Sequence, residues 1–427
     1  MIKVQCMSTY TLYRFPDTSC PNRLRKIPQT EVAMKKYLLL GFVLMVAGFA
    51  LAQGNPGDTN GVTATEIKIG SFQALSGPVA AIGVPVKKGL DAYFNWVNAN
   101  GGIHGRTIKL IVADDAFNPS NTVVEVKRMV ESDKVFAMIC GLGAPGNLAV
   151  VDYLEAQKVP YVYQAAGAGA LTIPPRRYVF GVQPNYTTEG ALAVKYLLEN
   201  KKAKKIAIVY RNADDGKEEL AAVKNYLSAK GMKLAAEVPI EATATDFSAD
   251  IVKLTQAGVD SIIVMLFVPQ SANFVKQAKQ LGLTKQNYLL TYSNADPTFA
   301  AIAGPAAVGV ESLAWVDVDF TNPEAEFIKI YQATFPGEIP NAYAVAGMIA
   351  AEIFTEALRR AGPQLTREKL ITALESMNNW KGKIGPAVSY GTIAARKDQA
   401  RLGVKSMYVL RFKEDGTLER ASGWINL

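Results

Sequence analysis

A glycine-rich segment is the first candidate for chemistry in this chain. Residues 141–146 have the spacing Gly-x-Gly-x-x-Gly, after an apolar run at 135–139 and before a helical pattern that begins at Asn147. Such a turn presents backbone N–H groups and a helix N-terminus to an anion, which in dinucleotide-binding proteins is a pyrophosphate. Pro145 removes one donor, and the next apolar run ends at Gln164 without an acid for a ribose. The segment therefore favours a simpler anion, such as a carboxylate, over a dinucleotide.

Side chains that catalyse reactions or bind metals are scarce. The chain has one histidine, His104, in a glycine-rich turn, where we expect it to cap or pack rather than to catalyse. Cys140 ends an apolar run, which predicts a buried structural thiol. No paired spacing of cysteines indicates zinc or an iron–sulfur centre. Since no set of acid, base and nucleophile is visible either, we expect no enzyme activity, no cofactor and no metal.

Residues 34–52 have the pattern of a secretory signal peptide. Lys35 and Lys36 precede an apolar run at 37–49, and small residues follow up to Ala52. The run is short for a membrane span, so a retained anchor is the less favoured alternative. We expect cleavage after Ala52, no lipid attachment because no cysteine follows, and a periplasmic product. We expect residues 1–33 to be an upstream extension that is absent from the mature protein.

The formal net charge is concentrated in this N-terminal part. The whole chain carries 46 basic and 38 acidic residues, a net charge of +8. Residues 1–52 hold seven of the basic and two of the acidic residues, which leaves 39 basic and 36 acidic residues and a net charge of +3. So balanced a charge predicts no nucleic-acid partner.

The rest of the chain alternates short apolar runs with helical patterns. This alternation predicts βαβ units, in which parallel sheets are covered by helices on both faces. The predicted strands are at 67–72, 108–113, 135–139, 159–163, 206–210, 261–266 and 288–291. The predicted helices are at 86–97, 123–130, 148–156, 190–198, 218–229, 247–254, 272–281 and 341–361, the last a packing helix rather than a membrane span. About 375 residues exceed one usual core, so we expect two lobes, divided near 183–185.

Four short motifs resemble those of a known family. Ser76-Gly77-Pro78 follows the first predicted strand, residues 98–106 have the pattern Asn-Ala-Asn-Gly-Gly-Ile-x-Gly-Arg, Asp114-Asp115 closes the next strand, and Gln183-Pro184-Asn185-Tyr186 lies at the division. In this order and spacing they resemble periplasmic substrate-binding proteins of the leucine/isoleucine/valine-binding type, which serve ABC importers. The resemblance runs from about residue 66 to the C-terminus.

The resemblance implies two doubly wound α/β lobes, each with a parallel sheet, joined by three crossovers with the ligand between them. The implied N-terminal lobe is 66–185 plus 314–400, the C-terminal lobe is 186–313 plus 401–427, and 53–65 is expected to be a flexible N-terminus. Closure is a hinge motion around a small-molecule ligand, and the closed form is recognised by a membrane permease. We expect a monomer.

The binding residues implied by the resemblance depart from those of the amino-acid binders. Ala144 stands where they have a serine hydroxyl for the ligand carboxylate, and Gly167 replaces a threonine. Asp215 and Phe267 replace tyrosines, and Tyr292 falls at the acidic position that holds an α-ammonium group. Carried over by register, the predicted ligand contacts are Ser76, Ile82, Gly143, Ala144, Ala165, Gly167, Tyr186, Asp215, Phe267 and Tyr292.

These departures leave the ligand open. The family implies a branched-chain amino acid or a related compound, and the alternative is an aromatic or aliphatic carboxylate or an amide. We expect backbone N–H groups near 76–78 and 143–144 to hold the anionic end. Asp215 is either the one acid placed for an amine or a solvated acid at a helix start. A ligand-sensing receptor domain is a further alternative, which would require an anchor or a signalling domain.

Overall fold

The computed structural model describes residues 59–316, 319–320 and 322–427. These residues belong to one compact unit, Gly57–Leu427. The expected upstream extension and the signal peptide lie outside the described residues and stay predictions.

The first described residues form a turn against the first strand. Gly61 O accepts from Lys68 N at 2.8 Å, and Thr63 N donates to Glu66 O at 2.9 Å. Arg106 Nε donates to Thr63 O at 2.7 Å. Residues 61–65 therefore form an ordered turn, because their backbone groups are hydrogen-bonded to neighbouring residues. They belong to the segment 53–65, for which we expect a flexible N-terminus. Residues 53–58 lie outside the described part.

The first sheet has five parallel strands in the order β2-β1-β3-β4-β5. The strands are β1 Glu66–Gln73, β2 Thr107–Asp114, β3 Ala137–Ile139, β4 Tyr161–Val162 and β5 Val179–Phe180. The helices between them are α1 Ala80–Ala99, α2 Pro119–Glu131 and α3 Ala144–Ala156. Ile67, Ile69 and Phe72 on β1 are fully buried, as a strand paired on both sides requires. We call this sheet and the helices packed on it the first lobe.

The second sheet has seven strands in the order β12-β11-β10-β9-β8-β6-β7. They are β6 Ile206–Arg211, β7 Ala236–Ile240, β8 Ser261–Met265, β9 Asn287–Leu290, β10 Glu311–Ala314, β11 Tyr408–Phe412 and β12 Leu418–Arg420. The helices are α4 Tyr186–Asn200, α5 Asp214–Ala229, α6 Ser248–Ala257, α7 Val268–Gln280 and α8 Pro297–Ala303. Strands β6 to β10 are parallel, whereas β11 and β12 form an antiparallel hairpin at one edge. This sheet and its helices are the second lobe.

The chain passes between the lobes three times: after β5, after β10 and before β11. The remaining helices are α9 Glu326–Gln332, α10 Ala342–Ala361, α11 Arg367–Glu375 and α12 Ile393–Arg396. Helix α10 packs closely on α1 of the first lobe, since a Cβ at Gly89 would lie 1.9 Å from Ala344 O. In the described part of the chain, no helix is long and apolar enough to span a membrane.

The predicted α/β class with parallel sheets is confirmed. All seven predicted strands and all eight predicted helices are present, with ends that shift by a few residues. The sequence patterns missed β5, β7 and β10 to β12. Strand β5 has two residues, and the pairing of the hairpin β11–β12 at a sheet edge depends on chain that is distant in sequence. The lobe boundaries by residue number stay predictions.

Candidate ligand-binding site

A cavity of about 100 Å³ lies where the two lobes face each other. It is bordered by residues that follow the carboxyl ends of parallel strands in both sheets, where ligands bind in folds of this kind. Its lining residues are mainly apolar and aromatic: Val79, Ile82, Val86, Phe117, Leu142, Tyr163, Ala165, Gln183, Tyr186, Phe267, Tyr292, Ser293, Trp315, Val316, Ala342, Tyr343 and Ala346.

Two larger surface grooves, of about 610 Å³ and 750 Å³, lie around α8 and the β11–β12 hairpin. Neither is lined by a residue of β1 to β5 or of α1 to α3. The smaller cavity is therefore the better candidate, because groups from both lobes line it and the fold directs strand ends toward it.

Five of the ten predicted contacts line this cavity. Ile82 on α1 and Ala165 after β4 come from the first lobe, and Phe267 after β8 and Tyr292 after β9 come from the second. Tyr186 is the first residue of α4 and follows the first passage between the lobes. The structure brings these residues together, and their contact with a ligand stays a prediction.

Gly167 lies beside the cavity, and its surroundings leave no room for the threonine that the amino-acid binders have at this position. A Cβ at Gly167 would lie 2.7 Å from ring atoms of Tyr186 and 2.8 Å from Tyr292 Oη. The Tyr186 and Tyr292 rings are nearly parallel, with centroids 6.5 Å apart and an interplanar angle of 10°. The two phenols occupy the volume that a larger side chain at 167 would need.

The predicted anion loop is packed inside the first lobe. Gly143 N–H donates to Ala165 O at 3.3 Å, and a Cβ at Gly143 would lie 2.2 Å from the Phe117 ring. The Nδ2 of buried Asn147 donates to Gly141 O and Gly143 O, both at 2.8 Å. The loop at 141–146 is thus held from within rather than left as an open cradle of N–H groups.

Ser76, Gly143 and Ala144 are not among the residues that line the cavity. Ser76 is exposed at the start of the loop before α1. Ala144 packs with Ala168, Leu171 and Val179 in a small apolar cluster. The first lobe instead lines the cavity with residues of α1 and of the segments after β2, β3, β4 and β5, among them Leu142 of the same loop.

Asp215 does not line the cavity, and both of its oxygens have partners. Its Oδ2 forms an ion pair with Arg211 Nη1, and its Oδ1 accepts from Gly216 N at 2.9 Å. The Arg211 guanidinium carbon lies 3.8 Å from the centroid of the Phe267 ring. Arg211 thus neutralises Asp215, and contact of Asp215 with a ligand amine stays a prediction. The sequence gives no local signal for this pairing, because Arg211 ends β6 and Asp215 lies in the first turn of α5, so their i, i+4 spacing is not that of one helix.

A hydrogen-bond chain crosses the cavity wall and was not foreseen. Tyr163 Oη donates to Gln183 Oε1 at 2.6 Å, and Gln183 Nε2 donates to Tyr292 Oη. Burial raises the pKa of the Tyr163 and Tyr292 hydroxyls well above 10. Both phenols therefore stay protonated at physiological pH. A signal existed for Tyr163 and Gln183, since each follows an apolar strand of the first sheet.

Two buried carboxyl groups lie behind Tyr292. Glu189 on α4 accepts from Tyr292 N at 2.7 Å, and Glu189 Oε2 and both oxygens of Glu219 on α5 have no hydrogen-bond partner in the described structure. Burial raises the pKa of Glu189 to about 8 and that of Glu219 well above its usual range, with the neighbouring Glu189 charge raising it further. The acids support the turn that carries Tyr292 and do not line the cavity.

A direct contact joins the lobes beside the cavity. Glu218 on α5 accepts from Gly169 N with Oε1 at 2.9 Å and Oε2 at 3.1 Å, and Thr187 Oγ1 donates to it at 3.1 Å. Gly169 begins a short 3₁₀ turn of the first lobe. This contact requires the lobes to be close together.

Comparison with known proteins identifies the family. The family model for periplasmic binding proteins matches residues 66–417. The Leu/Ile/Val-binding protein homolog 2 of Brucella abortus (strain 2308) is 27% identical over 386 residues, which cover 90% of this chain and 98% of that protein.

Solved structures have the same fold. A fatty acid ABC transporter substrate-binding protein from Thermomonospora curvata has a TM-score of 0.75 and 25% identity, and covers 87% of this chain and 95% of its own. The structure of a branched-chain amino acid ABC transporter from Thermus thermophilus with bound valine has a TM-score of 0.76 and 21% identity. It covers 86% of this chain and 98% of its own. The second likeness concerns the fold alone. Because the family match spans most of the sequence, this chain belongs to the periplasmic binding protein family.

Proposed function

We propose that this protein is the solute-binding component of an ABC importer. The observation that carries the proposal is the cavity between the lobes, lined by Ile82 and Ala165 from one lobe and by Phe267 and Tyr292 from the other. A solute held there contacts both lobes at once, so it binds the closed arrangement more tightly than the open one. Binding therefore shifts a hinge equilibrium toward the closed form.

The contact between Glu218 and Gly169 supports this mechanism. It joins α5 of the second lobe to the first lobe at 2.9 Å, beside the cavity. Opening the hinge breaks this contact, so the contact adds to the stability of the closed form without touching the solute. The bound solute and the interlobe hydrogen bond thus both favour the closed form.

The solute that we propose is small and mostly apolar. Relatives named as Leu/Ile/Val-binding proteins favour a branched-chain amino acid or a related compound. A relative of the same fold at 25% identity is named as a fatty acid binder, which favours an aliphatic carboxylate as the alternative. The aromatic and aliphatic lining suits the apolar body of either class.

Binding without catalysis fits the lining. The residues around the cavity include no histidine, cysteine, lysine or acid among those that the structure describes. A general acid or base near neutral pH comes most often from these residue types. We therefore propose transport of an unchanged solute, delivered to a membrane permease that recognises the closed monomer.

We also propose that the mature protein is periplasmic and begins at or near Gln53. The support is the signal pattern at 34–52 together with the family. N-terminal sequencing and fractionation of the producing cells test this. A membrane-bound, acylated or uncleaved product would contradict it.

A thermal-shift screen tests the binding role. The chain from Gln53 is heated with amino acids, aliphatic and aromatic carboxylates and amides. A ligand present at a hundred times its dissociation constant stabilises the folded state by about 2.7 kcal/mol. Ile82→Trp, which fills the cavity, should abolish the shift. Val84→Trp, at an exposed position of the same helix, should retain it. No shift with any compound, or a shift that survives Ile82→Trp, would count against the proposal.

A further inference from the structure

We infer that two phenol hydroxyls, those of Tyr292 and Tyr186, donate hydrogen bonds to the carboxylate of the ligand, so that the ligand is an apolar carboxylate without an α-ammonium group. This inference rests on the proposed function and names its substrate class. It is carried by the direction of the hydrogen-bond chain in the cavity wall.

The direction of this hydrogen-bond chain follows from which of its atoms can donate a proton. Tyr163 Oη donates its only proton to Gln183 Oε1 at 2.6 Å, and an amide oxygen can only accept. Gln183 Nε2 then donates to Tyr292 Oη. Tyr292 has thus received a hydrogen bond, and its own proton is left to donate. No hydrogen bond found among the described residues uses this proton, so it is left for a ligand acceptor.

Tyr186 adds a second donor. Its ring lies parallel to that of Tyr292 with centroids 6.5 Å apart, its hydroxyl oxygen has the Gly167 backbone as a partner, and no hydrogen bond found among the described residues uses its proton. Both residues line the cavity. A carboxylate has two acceptor oxygens, which matches two phenol donors, and bonds from neutral donors to an ionised acceptor are stronger than neutral pairs.

The backbone around the cavity also favours an anion. Tyr186 is the first residue of α4, Phe267 precedes the first residue of α7, and Ala342 and Tyr343 begin α10. All four line the cavity. Three helix N-termini therefore border it. That of α10 already holds a carboxylate, since Ala342 N donates to Asp296 Oδ2 at 3.1 Å, and the partial positive charge of the other two favours an anion over a cation.

An ammonium group finds no anionic counterpart among the described lining residues. The acceptors there are neutral oxygens, and two of them already accept a hydrogen bond: Tyr292 Oη from Gln183, and Ser293 O from Tyr343 Oη at 2.5 Å. Asp215 is paired with Arg211, and Glu189 is fully buried beneath the Tyr292 backbone. An α-ammonium group would be buried here without neutralisation, which is strongly unfavourable.

The test compares ligands that share a carbon skeleton. Leucine is matched with 4-methylpentanoate, phenylalanine with 3-phenylpropanoate, and 4-methylpentanamide serves as the uncharged counterpart. Calorimetric titration of the mature chain should show each simple carboxylate binding at least about tenfold more tightly than its amino acid and its amide, as expected for a charge-assisted bond.

Variants locate the effect. Tyr292→Phe and Tyr186→Phe should each weaken 4-methylpentanoate about tenfold or more, because each removes a donor to the carboxylate. Two separate positions keep the test valid if one variant folds poorly. Tyr288→Phe is the matched control: it loses a buried hydroxyl on β9 that donates to Leu283 O at 2.6 Å, away from the cavity. Its affinity should change less than threefold.

The outcomes are distinct. Leucine binding as tightly as 4-methylpentanoate would overturn the inference and leave the solute-binding role standing. An amide that binds more tightly than the carboxylate, or full carboxylate affinity in both Phe variants, would also overturn it. Failure of every compound, including those of the wider screen, would contradict the proposed function itself and the inference with it.

Discussion

The two faces of the cavity differ in chemistry. The first lobe presents apolar residues, such as Ile82, and the Tyr163–Gln183 pair, whose polar groups bond to each other, and its strand-end loop is held internally. The second lobe presents Phe267 and Tyr292, which are backed by charged or titratable groups. The difference indicates that the first lobe mainly sets the shape of the site, whereas the second lobe supplies hydrogen-bond donors.

Buried acids show the same contrast. In the first lobe, Asp115 is buried, but its Oδ2 accepts from Thr122 Oγ1 at 2.7 Å and its Oδ1 from Phe117 N at 2.9 Å. In the second lobe, Glu219 is fully buried and neither oxygen has a partner in the described structure. Asp115 is thus satisfied by hydrogen bonds, whereas Glu219 carries an electrostatic cost. Four substitutions can break or sharpen this comparison.

The largest expected effect is on the stability of the first lobe. Asn147→Ala removes donors to Gly141 O and Gly143 O and the acceptor of Tyr161 Oη. The unpaired buried groups should lower the free energy of unfolding by roughly 4 kcal/mol. Chemical denaturation measures this. Asn121→Ala, at an exposed position of α2, should cost less than about 1 kcal/mol. Equal costs would contradict the assignment of the loop as a rigid, internally held element.

The next effect is on the pH dependence of stability in the second lobe. The folded pKa of Glu189 is about 8, above the usual value for a glutamate, and that of Glu219 is raised in the same direction. The folded protein therefore holds protons that the unfolded chain releases. The contribution of these protonated carboxyls to the free energy of unfolding is fully present below about pH 4.5 and is lost as the pH rises toward about 8.

Glu219→Gln removes one of these titrating groups at nearly constant volume. It should stabilise the protein at pH 8 by something on the order of 2 kcal/mol and reduce the decline between pH 5 and pH 8. Thermal unfolding across this range provides the measurement. Glu199→Gln, at the exposed end of α4, should leave the profile unchanged. A profile that is flat in the unaltered protein would show that the two carboxyls are not protonated as the structure implies.

A smaller effect is expected at the contact between the lobes. Glu218→Ala removes the acceptor of Gly169 N and should weaken 4-methylpentanoate about fivefold, because the closed form loses one interlobe hydrogen bond. Calorimetry gives the affinity, and small-angle scattering should show a wider unliganded protein. Lys217→Ala, at the neighbouring exposed position, should change neither. An unchanged affinity in Glu218→Ala would mean that this contact does not bias closure.

The smallest effect is expected at Asp215. Asp215→Asn should change the affinity for 4-methylpentanoate less than threefold, because its carboxylate is paired with Arg211 and does not line the cavity. Thermal unfolding measured in parallel separates any loss of folded protein from a loss of affinity. A hundredfold loss of leucine affinity in the same variant would instead indicate a ligand amine at Asp215 and an amino-acid ligand.

Much of the fold could be predicted from local patterns. The run at 262–266 is apolar along its length, as a strand buried on both faces must be, and the run at 67–72 has apolar residues at three of its six positions; both are strands of parallel sheets. The hairpin of β11 and β12 was missed because its partner, β10, lies about a hundred residues earlier and sequence patterns carry no pairing information. The packing of α10 on α1 was not predicted for the same reason.

The candidate site was predictable in part. Residues directly after strands, such as Phe267 and Tyr292, were placed on the cavity by register alone. Asp215 was not, because its partner depends on the side-chain directions of Arg211 and of α5. Trp315 and Tyr343 were missed, since they enter the cavity from the second passage between the lobes and from α10.

The sequence by itself determined the α/β class, the order of most strands and helices and the family, because apolar periodicity and motif spacing are local and survive in a single chain. Only the tertiary structure decided which groups meet. Tyr163, Gln183 and Tyr292 come from three distant segments, and the direction of hydrogen bonding through them follows from their contact. The chemistry of the cavity thus depends on distances between residues that are far apart in the chain, which no local pattern encodes.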